Sequence, residues 1–320
     1  MSYPLFKQWV LAMLSVIIGI TTNLIIQDIA KKNLTEIGEK CLSGDVDDLI
    51  PFEPMLGGSF VCIVNNLFYG LKQVPEGIFA WCCILAVYFP VAILVTVEAT
   101  RVGVQGILKY PFFIFFLSQY IAISVAFPLV WVPMFLLWGR GSLPGFISYH
   151  ASTAIFSGLF ISALSFAFFA LEPQAHVWRL ATSLLFGPLL PVPYLTLFLL
   201  PSDSSGALDS SNRIIKSYYS AALVSFLLWS SSLYLLFQNY GTSMSIIGVL
   251  WTETHFSVQI INLDWFVWYL SILIIIVAEN WIDGSKTMLM MPFLGPGAAL
   301  AITLARQEKD RCRRVSQKAD

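Results

Sequence analysis

The feature that most limits what this chain can become is a series of eight apolar stretches, each near the length that crosses a hydrocarbon layer. A crossing helix needs about 20 mostly apolar residues. Segments 9–26, 78–97, 112–137, 151–171, 181–200, 217–237, 265–279 and 287–305 qualify or nearly qualify. With 57% hydrophobic and 12% charged residues, the 320-residue chain holds more apolar surface than a water-soluble core conceals. Together these segments specify an all-α, polytopic transmembrane helical bundle of about eight spans, one domain over 1–320. The shorter apolar stretches 59–71 and 243–251 read as interfacial or re-entrant helices.

The segments differ in character. The first lacks a basic leader and a small-residue cleavage site, so it reads as a retained span. Pro128 and Pro133 predict a kink or broken end in the third. Pro188, Pro191 and Pro193 predict a distorted fifth that lines a cavity. The seventh is short, with Asp264 read as its N-cap and Asp283-Gly284 as a tight turn into the eighth. The eighth opens on Gly295-Pro296-Gly297, and Gly297 with Ala301 forms a small-residue seam for a closely packed neighbour. Residues 27–57 form a hydrophilic loop, carrying the sequon Asn33-Leu34-Thr35, and 306–320 a basic tail with Arg306, Arg311, Arg313 and Arg314. That lysine and arginine excess predicts a cytosolic C-terminus and, with eight spans, a cytosolic N-terminus.

A net charge of −1 gives nucleic-acid binding no electrostatic support. Five cysteines without a CxxC pair indicate neither a disulfide framework nor a zinc site. His150, His176 and His255 lack ligand spacing, so no metal is expected. Asp45-Val46-Asp47-Asp48 resembles half of a magnesium–diphosphate site, but no second aspartate-rich run completes it, and a solvated acidic loop is the simpler reading.

Ionisable groups within or at the ends of spans are costly, which makes them functional candidates. Four stand out as possible acids: Glu98, Asp264, Glu279 and Asp283. Glu98 lies three residues before Arg101, so the two can pair along one helix, as an interfacial salt bridge or as a pocket carboxyl tuned by the guanidinium. Glu279 and Asp283 are four apart. On a continuous helix they share a face, and mutual repulsion would keep a proton on one of them; the plain alternative is a solvated helix end. A carboxyl that holds its proton is what acid-initiated chemistry requires.

Aromatic residues make up 15% of the chain. Many suit interfacial belts, but Trp81, Tyr88, Tyr120, Trp131, Tyr219 and Trp268 fall within spans, where ring faces stabilise a cation. Ordinary helix packing is the alternative for each ring.

The Phe293-Leu294-Gly295-Pro296-Gly297-Ala298-Ala299-Leu300-Ala301 opening of the last span, followed by Arg306-Gln307-Glu308, resembles fungal membrane-bound terpene cyclases of ascochlorin- and ascofuranone-type meroterpenoid pathways. Related integral membrane proteins of indole-diterpene clusters share the plan of an N-terminal span followed by an acidic loop. The resemblance implies metal-independent, cofactor-free cyclisation of a prenylated, often farnesylated, intermediate through protonation of a terminal epoxide. It also implies an upstream prenyltransferase and epoxidase, and residence in the endoplasmic reticulum membrane. It assigns no catalytic residue here. A small-molecule transporter or a membrane scaffold of a biosynthetic pathway is the rival expectation.

Overall fold

The computed structural model describes residues 3–43, 71, 74–101, 104, 106–139, 152, 153, 155, 207–241, 248, 250 and 255–319. Every element among them is helical: α1 (Tyr3–Ser43), α2 (Pro75–Thr100), a short 3-10 turn (Gly106–Lys109), α3 (Pro111–Ile121), α4 (Ile123–Gly139), α5 (Ala207–Tyr240), α6 (Phe256–Glu279), α7 (Trp281–Leu294) and α8 (Pro296–Ala319). Four contain stretches long and apolar enough to cross a bilayer: Leu5–Asn33, Pro75–Thr100, Ser210–Tyr240 and Phe256–Glu279. The expected segment 181–200 lies outside the described residues, as do nearly all of 151–171 and the acidic run at 45–48.

The packing separates two kinds of span. In α2 and α6 most residues are buried, and neither helix shows a polar face, as befits the centre of a bundle. Helices α1 and α5 turn a broad apolar face outward, with Phe6, Met13, Ile17, Leu24, Leu223, Leu227 and Tyr234 exposed. The inward stripe of α5 is small and polar: Ser210, Ser217, Ser225 and Ser232 are buried at intervals of seven or eight residues. Ser217 and Ser232 satisfy their hydroxyls on carbonyls of their own helix, whereas Ser225 Oγ donates across to Ala86 O of α2 at 2.8 Å.

Two side-chain contacts fix which ends lie together. Lys7 Nζ, at the start of α1, donates to Val277 O near the end of α6 at 3.0 Å. Tyr240 OH, at the end of α5, donates to Glu76 Oε2 at the start of α2 at 2.5 Å. Helices α1 and α5 therefore begin at the face of the bundle where α2 and α6 end.

The third expected segment is not one helix. The chain breaks at Ala122, whose φ of 68° and ψ of 149° fall where non-glycine residues are strained. Beyond the break the prolines widen the helix rather than snapping it. Val132 N–H reaches back five residues to Phe127 O. In that register the next donor would be Pro133, which has none, leaving Pro128 O without its helical partner. Ser15 Oγ of α1, itself buried, donates to Pro128 O at 2.8 Å and fills the gap.

The seventh segment is longer than its sequence suggested. It starts at Phe256, capped by the His255 side chain accepting from Ser257 N–H at 3.3 Å, and Asp264 lies inside the helix instead of capping it. The tight turn expected at Asp283-Gly284 is also displaced: the break falls at Asn280, whose side chain caps α7, and both residues are helical.

The eighth segment departs most. It is divided at Gly295 into α7 and α8, which run antiparallel. Asp283 Oδ1 meets Arg306 Nη2 at 2.6 Å, and Thr287 Oγ1 meets Thr303 Oγ1 at 2.7 Å. The tip is built on glycine. Gly295 has φ +83°, and a Cβ there would sit 2.4 Å from Trp229 Cγ; at Gly297 it would sit 1.8 Å from Ala86 O. Ala86 lies near the middle of α2, so the tip reaches mid-bundle and the chain returns to the face it left. Residues 281–305 thus form a helical hairpin with both ends at one face of the bundle. The seam expected at Gly297 and Ala301 faces α2, and both α8 and α2 pack on α5.

The expected loop and tail are ordered helix as far as they are described. Helix α1 continues to Ser43, carrying the sequon residues and the exposed Lys32–Asp28 pair at 2.6 Å. Helix α8 runs to Ala319.

Candidate functional site

Two groups of ionisable residues lie far apart in the bundle. The first closes the face where α2 and α6 end. Glu98 Oε2 lies 3.1 Å from Arg101 Nε, Arg101 Nη2 continues to Glu308 Oε2 at 2.6 Å, and Arg311 Nη1 reaches Glu98 Oε1 at 2.8 Å. Arg311 Nη2 also pairs with Glu279 Oε1. Three carboxylates thus share two guanidiniums across α2, α6 and α8. Burial works against the charge on Arg311, but Glu98, Glu279 and Glu308 outweigh it and raise its pKa above the usual arginine value. Arg101 behaves alike: burial opposes its charge, and Glu98 and Glu308 more than restore it.

This network revises the carboxyl pairing read from sequence. Asn280 interrupts the helix between Glu279 and Asp283, so the two are not stacked on one face. Each has its own arginine instead: Glu279 meets Arg311 and Asp283 meets Arg306. Each carboxyl therefore faces a guanidinium and not the other carboxyl. Glu98 has two arginines, Arg101 as expected and Arg311 in addition.

The second group is centred on Asp264, 7% exposed, about 12 Å along α6 from its start at eight residues of 1.5 Å each. Its Oδ1 accepts the Ser124 hydroxyl at 2.5 Å and the Ser124 backbone N–H at 3.3 Å. Ser124 is the second residue of α4, so that N–H is one of the donors a helix leaves free at its start. The strained Ala122 ends α3 two residues earlier, which creates this helix start inside an apolar run. Among the described residues no cation pairs with Asp264, and Oδ2 makes no hydrogen bond.

An aromatic group adjoins it. Trp268 lies one turn beyond Asp264 on the same face of α6, and Phe127 lies three residues beyond Ser124 on α4. These two rings are 5.3 Å apart between centroids. Tyr88 and Phe115 lie 6.3 and 6.4 Å from Trp268, edge to face, and Trp131 stands 5.5 Å from Phe127 while stacking on Phe135. Rings from α2, α3, α4 and α6 therefore meet beside one carboxyl.

Of the six rings singled out from sequence, Tyr88, Trp131 and Trp268 are brought together here. Trp81 is half-buried against Ala80, Val258 and Ile261, nearer the start of α2. Tyr219 is 50% exposed on the outward face of α5 and contributes nothing to the group. The side chain of Tyr120 lies outside the described residues. Sequence reading missed Ser124, Phe115 and Phe127. The only signal for Ser124 was a small hydroxyl in the middle of an apolar run, which on its own is ordinary helix packing.

Compared with models of known protein families, with curated proteins and with solved structures, the chain matches none.

Proposed function

We propose that this chain is a membrane-embedded terpene cyclase in which Asp264 is the acid that opens a terminal epoxide on a prenylated, farnesyl-type substrate. The observation that carries the reading is a buried carboxyl with no arginine or lysine against it among the described residues, one helical turn from Trp268, whose ring meets those of Tyr88, Phe115 and Phe127. Of the four candidate acids it alone lacks a described cationic partner; Glu98, Glu279 and Asp283 are each held by arginine.

The chemistry follows from the two oxygens. With Oδ1 occupied by both Ser124 donors, Oδ2 carries the transferable proton. That proton passes to the epoxide oxygen as the bond to the more substituted carbon breaks, its electron pair going to the new hydroxyl. The tertiary cation is captured by the π electrons of a chain alkene, which forms the ring bond. The final cation gives up a proton, which restores the Asp264 acid and completes an isomerisation with no change of oxidation state. The carboxylate left behind is stabilised by the Ser124 hydroxyl and by the free N–H at the start of α4, donors already aimed at it. The adjoining ring faces stabilise positive charge by about 0.5–2 kcal/mol each. Substrate reaches the site from lipid, in the endoplasmic reticulum membrane, after a prenyltransferase and an epoxidase have acted.

The test uses microsomes from a heterologous host supplied with an aromatic farnesyl terminal epoxide and no other enzyme. Wild-type membranes yield a cyclic isomer of unchanged mass. Asp264→Asn keeps the hydrogen bonds of Ser124 but has no acidic proton, and lowers the rate at least about 100-fold at unchanged protein level. Full activity in that variant removes Asp264 from the mechanism. Vesicle uptake without product supports a transporter, and neither uptake nor product supports a scaffold.

A further inference from the structure

Trp268 is 1% exposed, and its indole Nε1 is a buried donor with no acceptor. Such a group costs about 1–3 kcal/mol unless something accepts from it, and almost all buried donors in native proteins are satisfied. The ring is not loosely placed: Tyr88, Phe115 and Phe127 all contact it. Other buried tryptophans in the chain need not remain unsatisfied, for Trp265 Nε1 donates to Asn262 Oδ1 at 2.9 Å, three residues away on the same helix.

The position of this donor is informative. Long side chains on a helix lean toward its N-terminus and cover the turn before their own Cα. For Trp268 that turn holds Asp264, whose Oδ2 also makes no described hydrogen bond. Two polar atoms, one N–H and one carboxyl oxygen, are thus left unused on one helix face, with apolar rings around them. Among the described residues no cationic side chain pairs with Asp264 and the rings around Trp268 are apolar, so the surroundings suit a ligand that is neutral and apolar apart from a single oxygen.

We infer that Trp268 Nε1 and Asp264 Oδ2 form a two-point site for one oxygen atom of an uncharged lipophilic ligand, the indole N–H donating to that oxygen. The inference rests on the cyclase reading for the identity of the oxygen, an epoxide before reaction and a hydroxyl after it. Trp268 is thereby a positioning residue for the oxygen, in addition to presenting its ring to the cation. It also sets the specificity: a ligand lacking the oxygen leaves both groups unpaired and is disfavoured.

Binding and turnover are measured separately on the full chain in detergent. The probes are an aromatic farnesyl terminal epoxide and the alkene of the same chain without oxygen, followed by ligand-induced shift in thermal unfolding. Wild type prefers the epoxide. Trp268→Phe retains the ring but not the N–H, and its epoxide affinity falls about three- to tenfold while alkene affinity is unchanged. Tyr219→Phe, which trims one hydroxyl from the outward face of α5, leaves the Trp268 donor in place and the epoxide preference intact. Equal loss for both probes in Trp268→Phe, or no preference in wild type, overturns the two-point site. Preference for the epoxide with no cyclised product sinks the enzyme reading and leaves the oxygen site standing.

Discussion

Arg311 binds two carboxylates from different helices, Glu98 at the end of α2 and Glu279 at the end of α6, and its own helix adds Glu308 at 3.6 Å. Exposed ion pairs contribute little, but these side chains are largely enclosed, and removing one partner of a buried pair costs about 3–5 kcal/mol. Arg311→Met removes the guanidinium that bridges Glu98 and Glu279 and leaves Arg101 with Glu98 and Glu308. We expect that variant to lose roughly this much stability, read as lower thermal midpoint in detergent and reduced accumulation in membranes, with any residual protein still able to bind ligand at Asp264. Glu279→Gln should weaken stability in the same direction and spare the chemistry, because its carboxyl belongs to the latch and not to the ring group. The latch was half legible in the sequence. Glu98 and Arg101 three apart announced their pair, whereas Arg311 lies 213 residues from Glu98 and no local spacing rule links them. Asp264 was misread because Asn262 and Asp264 together look like a helix start. Both lie inside α6, Asn262 donating to Leu250 O at 2.8 Å and accepting from Trp265, and Asp264 accepting from Ser124 through Oδ1.

At the scale of elements, apolar length located the helices well and their interruptions poorly. Segments 9–26, 78–97 and 217–237 each fall within one helix of the bundle. The break at Ala122 was invisible because alanine is the strongest helix former, so only tertiary contacts impose it. At Pro128 and Pro133 a kink or broken end was expected; the helix there carries a widened turn, and Ser15 supplies the donor that proline lacks. Gly297 was readable as a seam, and its demand is severe. Gly297→Ala places a methyl against the backbone of α2 at Ala86, and α8 must move outward to relieve it. Since Arg311 rides on α8, the substitution should loosen the distant latch. Reduced protection of α8 amides in hydrogen exchange, with α1 and α4 unaffected, is the expected result; an unchanged α8 would show that the crossing is looser than the backbone indicates.

For the whole molecule, the consequential difference is between a final crossing and a hairpin. A crossing over 287–305 would leave Trp281 and Lys309 on opposite sides of the membrane. The hairpin puts them on one side, both exposed, with Lys7 at the same face. Single-cysteine reporters at Trp281→Cys and Lys309→Cys, in a background without native cysteines, should react with an impermeant maleimide from the same side of sealed microsomes. Reaction from opposite sides would refute the hairpin. That face carries Lys7, Arg101, Arg306 and Arg311. Composition alone could not separate the two arrangements, because a hairpin that dips to mid-depth exposes the same apolar side chains to lipid as a span does, Leu289 and Phe293 among them.

The order of synthesis gives the latch one further consequence. Ribosomes deliver α2 long before α8, so Glu98 waits for most of translation without the Arg311 that will hold it, and Glu279 waits through the making of the hairpin. Until then Glu98 has only Arg101, three residues along its own chain, and docking of α8 is the event that completes the ion pairs at the ends of α2 and α6.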